Sequence, residues 1–219
     1  YSMVKDVREL LKKYNVKATF MIVGSWVCPE HEDDLIQLIQ DGHELANHCM
    51  MDRSYEYDTP ADFGKAVDEC NTIITDLYKK AGKVFLPKIR WFRAPHGRYT
   101  KQMSNELHKR TLVNVMCDTY ASCPVVEDPN FISKHLLKTC KDGSIMLLHM
   151  PETIVRNYCY TALELLLKGV TSNNTNNNNN TTMDERNNTN IQLVTLGELA
   201  KLKSYKCSYV QANLPWNFQ

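Results

Sequence analysis

Apolar and polar positions alternate along this chain in two periodicities. Val7, Leu10 and Leu11 recur at helical spacing within 4–14, which predicts a helix with one buried face. The apolar run 18–23 is stopped by Gly24-Ser25 and reads as a buried strand. An amphipathic stretch at 30–40 ends at Asp41-Gly42, a helix stop, and 44–47 follows as a strand. Residues 60–81 predict a longer helix, with Pro60 suited to its first turn. Beyond it, 89–93, 112–117 and 145–149 read as strands, and 101–110, 130–140 and 160–167 as helices. A last strand at 192–195 leads into a short helix. Such alternation argues for an α/β fold, a parallel sheet or barrel covered by helices.

Length and charge narrow the picture. A chain of 219 residues supports one sizeable core. The formal net charge is +1 and no basic stripe marks a nucleic-acid partner. No apolar run reaches the roughly 18–20 residues of a membrane span. Residues 171–190 form an Asn-dominated polar tract that cannot bury enough apolar surface to order itself and reads as a disordered surface insertion. The expected organisation is one domain built from 1–170 and 191–205, the insertion between them, and a tail at 206–219. Oligomeric state is not readable. Eight cysteines lack paired C-x2-C spacing, which argues against a structural zinc site. Their even number suits a secreted chain with disulfides; buried apolar thiols are the alternative.

Four short segments carry candidate chemistry. Within 42–52, His48 and Asp52 present an imidazole and a carboxylate at a short fixed spacing, both acceptable ligands for zinc and similar ions. Arg93-Ala94-Pro95-His96-Gly97, then Asp118-Thr119-Tyr120, then Leu147-Leu148-His149 follow in order. Each lies at or just after a strand-like run. In barrels of this kind the C-terminal strand ends gather at one mouth, so residues distant in sequence would converge there. His149 closes an apolar strand, where a buried polar group needs a reason, and imidazole titrates near working pH.

This ordered set resembles the polysaccharide deacetylase family, the NodB-homology or carbohydrate esterase family 4 domain, from about Val4 to about Leu202. The resemblance is carried by 12–24, 42–48, the R-x-P-x-G segment 93–97, 145–149 and 194–199. It implies a distorted (β/α) barrel of about seven strands, of which this sequence supplies six and lacks the first. It also implies a divalent metal, zinc or cobalt, and an N-acetylated glycan substrate such as chitin oligomers; ester deacetylation is the same chemistry. His48 and Asp52 would hold the metal, although the commonest family pattern has a histidine where Asp52 stands. His149 would be the general acid. Arg93 would orient a catalytic carboxylate. Pro95 and Gly97 would shape the turn that presents the backbone N–H of His96 to an oxyanion. Asp118 aligns with the first carboxylate of the family's D-x-D-x-x-D-W motif; it either reaches His149 or caps a loop. By the same spacing Cys123 and Pro124 stand on the closing Asp-Trp, whose Asp tunes the acid histidine.

The family's first motif, T-F-D-D-G-P, which supplies the base and a metal ligand, has no counterpart at Tyr1-Ser2-Met3-Val4. One expectation is a fragment or processed chain with that motif upstream. The alternative is a catalytically inactive carbohydrate-binding relative, for which Trp26, Trp91 and Tyr99 would offer stacking surfaces.

Overall fold

In the computed structural model, which describes residues 1–83, 89–176 and 191–202, seven helices and six short strands alternate. Their order is α1 (Val4–Lys13), β1 (Thr19–Ile22), α2 (Pro29–Gln40), β2 (Glu44–Asn47), α3 (Pro60–Lys80), β3 (Trp91–Phe92), α4 (Lys101–Lys109), β4 (Val113–Asn114), β5 (Thr119–Tyr120), α5 (Pro129–Thr139), β6 (Met146–Leu147), α6 (Tyr158–Asn176) and α7 (Leu196–Leu202). Side-chain caps fix several helix starts. Thr59 and Thr100 accept backbone N–H groups from Asp62 and Met103, and Asp128 accepts from Asn130 and Phe131. Each satisfies donors that the first helical turn leaves orphaned.

Strands β1 to β4 form one parallel sheet in sequence order, and β5 pairs in parallel with β6. Their backbone bonding runs past the regular ladder. His48 N–H donates to the Ile22 carbonyl, Arg93 N–H to Asn47 and Val115 N–H to Phe92. The residues that leave β2, β3 and β4 are therefore held at one rim. Against the sheet pack Leu35, Leu38 and Ile39 of α2 and Cys70, Ile74 and Leu77 of α3. Behind β5 and β6 lie Ile132 and Leu136 of α5 with Ala162 and Leu166 of α6. Val7, Leu10 and Leu11 of α1 meet Leu167 of α6 and Phe20 of β1, so helices close the side between β1 and β6.

The expected alternation holds, with three differences. Residues 192–195 join no ladder; instead Thr195 and Glu198 form a reciprocal capping box that starts α7. The Glu44 carboxylate accepts from Thr19 Oγ1 (2.7 Å), Trp91 Nε1 (2.9 Å) and Gly197 N–H (3.0 Å), which ties α7 to the starts of β1, β2 and β3. Strand β5 was not anticipated, because Asp118-Thr119-Tyr120 shows no apolar run. Helix α6 runs to Asn176 and takes in the first residues of the Asn tract; the rest of the expected insertion and the expected tail at 206–219 lie outside the described residues. No described helix is long and apolar enough to cross a membrane.

His43 sits just before β2 and is 4% exposed. Its Nδ1 accepts the Ala18 N–H at 3.1 Å and its ring meets Phe20 edge-on at 5.4 Å. Nε2 finds no partner. Burial, aided by the Lys17 charge, pushes its pKa from 6.5 down to about 4. The folded state thus binds a proton at His43 less readily than the unfolded chain, so this contribution to stability is complete above 6.5 and is lost as pH falls toward 4. Thermal melts of wild type and His43→Gln across that window should converge as the pH is lowered; a constant gap between the two curves would remove His43 as the linked group.

Candidate active site

The carboxamide of Asn47, fully buried at the end of β2, organises the first part of the mouth. Its Nδ2 donates to the Val67 carbonyl and to Asn71 Oδ1 on α3, and its Oδ1 accepts the Cys49 N–H at 2.8 Å. That local bond accompanies a left-handed turn at Cys49 (φ 63°). Gly24 donates to the Cys49 carbonyl, and any side chain at Gly24 would collide with Met50 Sδ. The chain therefore turns immediately after His48.

His48 is half-buried at the rim. Its Nδ1 lies 2.7 Å from the Arg93 carbonyl oxygen. A carbonyl only accepts, so Nδ1 carries the proton and the Nε2 lone pair is free. Burial lowers the His48 pKa from its ordinary value, against the raising effects of the Arg93 carbonyl and the Asp52 charge. The ring is accordingly neutral at neutral pH, the form in which imidazole binds metals. Asp52 lies on the exposed lip, with Oδ1 3.5 Å from His96 Nε2.

The segment after β3 is tightly constrained. Ala94 N–H donates to Asn114 Oδ1 at 3.1 Å, Pro95 is buried, and Gly97 and Arg98 donate back to Ala94 and Pro95. His96 (φ 56°) and Gly97 (φ 69°) both adopt left-handed backbone, uncommon for a non-glycine residue such as His96. Among the described residues no acceptor meets the His96 backbone N–H. The Arg93 guanidinium donates to Cys117 Sγ at 3.6 Å, and it bridges no carboxylate among the described residues. The partner implied for Arg93 by the resemblance is thus not supplied by these residues.

His149 follows β6. Its backbone N–H donates to Cys123 Sγ (3.4 Å), and its Nδ1 lies 3.1 Å from the same sulfur. The Tyr120 ring lies 5.9 Å away, tilted at 52°. The charge of His149 also opposes protonation of His48, behind the effects of burial, the Arg93 carbonyl and Asp52.

Asp118 is placed elsewhere. Its Oδ1 accepts the Ile145 N–H at 2.7 Å and its Oδ2 accepts Ser144 Oγ at 3.1 Å. Both bonds lie at the beginning of the β5–β6 pair, whereas His149 lies past its end. The register Tyr120↔Leu147 separates Asp118 from His149 by about 13 Å along the strands, at ~3.3 Å per residue. Of the two readings left open by the sequence, Asp118 takes the loop-capping one. The group that meets His149 is Cys123, which the motif spacing had placed on a carboxylate position.

The comparisons with known proteins agree with this frame. The polysaccharide deacetylase profile matches residues 2–115, just over half of the chain. The chain belongs to the polysaccharide deacetylase family. A chitooligosaccharide deacetylase from Bradyrhizobium is 28% identical over 145 residues, which cover 66% of this chain and 63% of that protein. The match thus spans less than two thirds of that deacetylase's length. Among solved structures, a family 4 acetyl xylan esterase from Clostridium thermocellum, in complex with cobalt, is 26% identical and superposes with a TM-score of 0.68 over 91% of this chain and 85% of that one. The family 4 domain of a multidomain xylanase from the hindgut metagenome of Trinervitermes trinervoides shares the fold, with a TM-score of 0.75 at 19% identity, over 93% of this chain and 86% of that one.

The Asp118 assignment has a direct consequence for the deacetylase mouth. Asp118→Ala should destabilise the protein by about 1 kcal/mol through its two loop hydrogen bonds, seen as a lower urea midpoint. The imidazole titration of His149, followed by NMR, should stay where it is in wild type; a displaced titration would put Asp118 back beside His149.

Proposed function

We propose that this deacetylase domain removes acetyl groups from N-acetylated polysaccharides or oligosaccharides of the chitin type, with the help of a divalent metal. One observation carries the reading. His48 and His149 each follow a strand end and each is held at Nδ1, which would leave Nε2 of both for chemistry at a shared mouth.

The residues fit a divalent ion as an incomplete donor set. His48 Nε2 and Asp52 would hold it, and the Arg93 carbonyl fixes the His48 tautomer from behind, as metal-binding imidazoles require. No third side chain joins them in a cluster among the described residues. Zinc or cobalt bound there would supply Lewis-acid polarisation of the acetyl carbonyl. The remaining roles fall to the protein. His149 Nε2 is placed to donate a proton to the departing amine. The unengaged N–H of His96, on a backbone fixed by Pro95 and Gly97, is placed to donate to the developing oxyanion. Arg93 would orient a carboxylate base, which none of these residues provides.

The neutral-ligand requirement gives the metal step a pH signature. Because burial lowers the His48 pKa, cobalt affinity should hold through neutral pH and decline only below the ordinary imidazole value of 6.5. Isothermal titration with cobalt reads this, and His48→Ala should weaken binding by at least about 100-fold. Acetate release from chitin oligomers with added cobalt should fall roughly 100-fold or more in His149→Ala. Equal release by wild type and both variants would eliminate the assigned site.

A second reading, a carbohydrate-binding domain without catalysis, is favoured by the absence of a three-donor cluster among the described residues. Trp26 and Tyr99 are 42% and 39% exposed and could stack on sugar rings, whereas Trp91 is engaged by Glu44. This reading gains if chitin oligomers bind equally well in the presence of a chelator while no acetate is released.

A further inference from the structure

Three groups converge on one sulfur. Cys123 Sγ receives the His149 backbone N–H and lies 3.1 Å from His149 Nδ1, and Cys159 packs in the same core cluster. Both cysteines are fully buried in the core shared by α5 and α6. Cys159 stands in the first turn of α6, and the preceding Tyr158 donates its hydroxyl to the Cys123 carbonyl at 2.6 Å. The two segments are thus fastened together on both sides of the sulfur pair. Neither thiol is used by the metal step.

We propose that Cys123 and Cys159 are a paired thiol site on which the protonation of His149 depends: the Cys123 thiolate positions His149, and a disulfide to Cys159 withdraws it. The proposal rests on His149 as the acid of the deacetylase reading, but its tests do not require activity. In the reduced state the sulfur accepts from His149 Nδ1–H; Nε2 of the neutral ring is then a lone pair, and a second proton taken up there makes the imidazolium that can act as acid. The environment favours this charge state. The Cys159 hydrogen bond and the contacts with His149 lower the Cys123 pKa well below the ordinary thiol value, while the hydrogen bond to Cys123, burial and the Cys123 charge raise that of Cys159. The other titratable or charged groups around the site are His48, Tyr120, Cys117, Arg93, Arg156, Tyr158 and Glu127; the Tyr158 hydroxyl is taken by the Cys123 carbonyl.

The oxidant is a low-molecular-weight disulfide of the glutathione class. The Cys123 thiolate attacks one of its sulfurs and displaces a thiolate, which gives a mixed disulfide. Cys159 then gives up its proton and attacks Cys123 Sγ, and the second small thiol leaves. Two protein sulfurs lose two electrons, the small disulfide is reduced to two thiol equivalents, and the Cys159 proton ends on one of them. A cleft of about 320 Å³ bordered by Pro124, Ile154, Val155 and Tyr158 lies beside both cysteines. Its wall is the segment after His149, where Ile154 is 94% exposed; both sulfurs lie behind this wall, so the reaction requires that segment to open.

The test is to equilibrate the reduced protein with oxidised and reduced glutathione and to map disulfides by peptide mass spectrometry, while NMR follows the His149 imidazole. A Cys123–Cys159 link that dithiothreitol reverses is expected. Its formation should lower the His149 pKa by roughly one to three pH units, because an anion within hydrogen-bond distance is lost. Cys159→Ser should stop at a glutathione adduct on Cys123. Cys123→Asp should keep the reduced-state His149 titration and ignore the oxidant, whereas Cys123→Ala should show the lowered titration without any oxidant. Oxidation of other cysteines with no Cys123–Cys159 link would overturn the proposal, and so would an unchanged His149 titration in the linked protein. If the link forms and shifts His149 but no acetate is released in either state, the thiol site stands and the deacetylase assignment fails.

Discussion

The mouth depends on one buried carboxamide. Asn47 ends β2 in the middle of the parallel sheet, where an unpartnered amide would be costly. Its Nδ2 is taken by α3 and its Oδ1 by the chain two residues ahead. A residue satisfied from both directions fixes two things at once: the distance between β2 and α3, and the turn at Cys49. Because β2 pairs with β1 on one side and β3 on the other, that turn sets where His48 stands relative to Arg93. The 2.7 Å contact between the His48 ring and the Arg93 carbonyl is then a consequence of sheet register, and with it the tautomer of the candidate metal ligand.

Three histidines show how one residue type leads to different chemistry. His43 uses Nδ1 as an acceptor, leaves Nε2 in an apolar surround, and is kept neutral by burial. His48 uses Nδ1 as a donor to a carbonyl and turns Nε2 outward as a lone pair. His149 uses Nδ1 against sulfur. The first faces the core at the start of a strand, and the other two stand past strand ends. Neutral ligand, proton donor and structural acceptor are therefore distinguished by what the backbone places opposite Nδ1, not by the residue type.

Much of this could be read from the chain. Helices α1 to α5 follow from periodicity, helped by the Asp41-Gly42 stop after α2 and Pro60 in the first turn of α3, and strands β1 and β2 from short apolar runs. What escaped was decided by pairing rather than by local pattern. Strand β5 is two residues of polar and aromatic character that qualify only because β6 lies alongside. Residues 192–195 look like a strand but find no edge to join, since Glu44 instead anchors the helix that follows. The candidate site was legible where a motif sat at a strand end, as with His48, Arg93 and His149. Asp118 stayed ambiguous because a carboxylate before a strand and one at a mouth look alike until the register is known. Cys123 carried a positional signal through its spacing, but residue type alone gave no reason to pair a cysteine with His149.

That pairing changes the physics of the mouth. A carboxylate has an ordinary pKa near 4 and beside an imidazolium is charged at neutral pH. A thiol is ordinarily neutral at pH 7 and becomes an anion only if its partners make it one. At Cys123 those partners are His149 itself and Cys159, so donor and acceptor each depend on the other, and both depend on a third residue at the start of α6. The second departure, Asp52 where the family more often has histidine, acts in the opposite sense and adds a negative group on the other side of the mouth. If Cys123 carries a charge, the mouth holds one anion more than the common pattern; if it does not, the two departures cancel. On the proposed thiol site, the ionisation of a single buried sulfur would therefore set both the proton affinity of His149 and the net field felt by any cation held at His48.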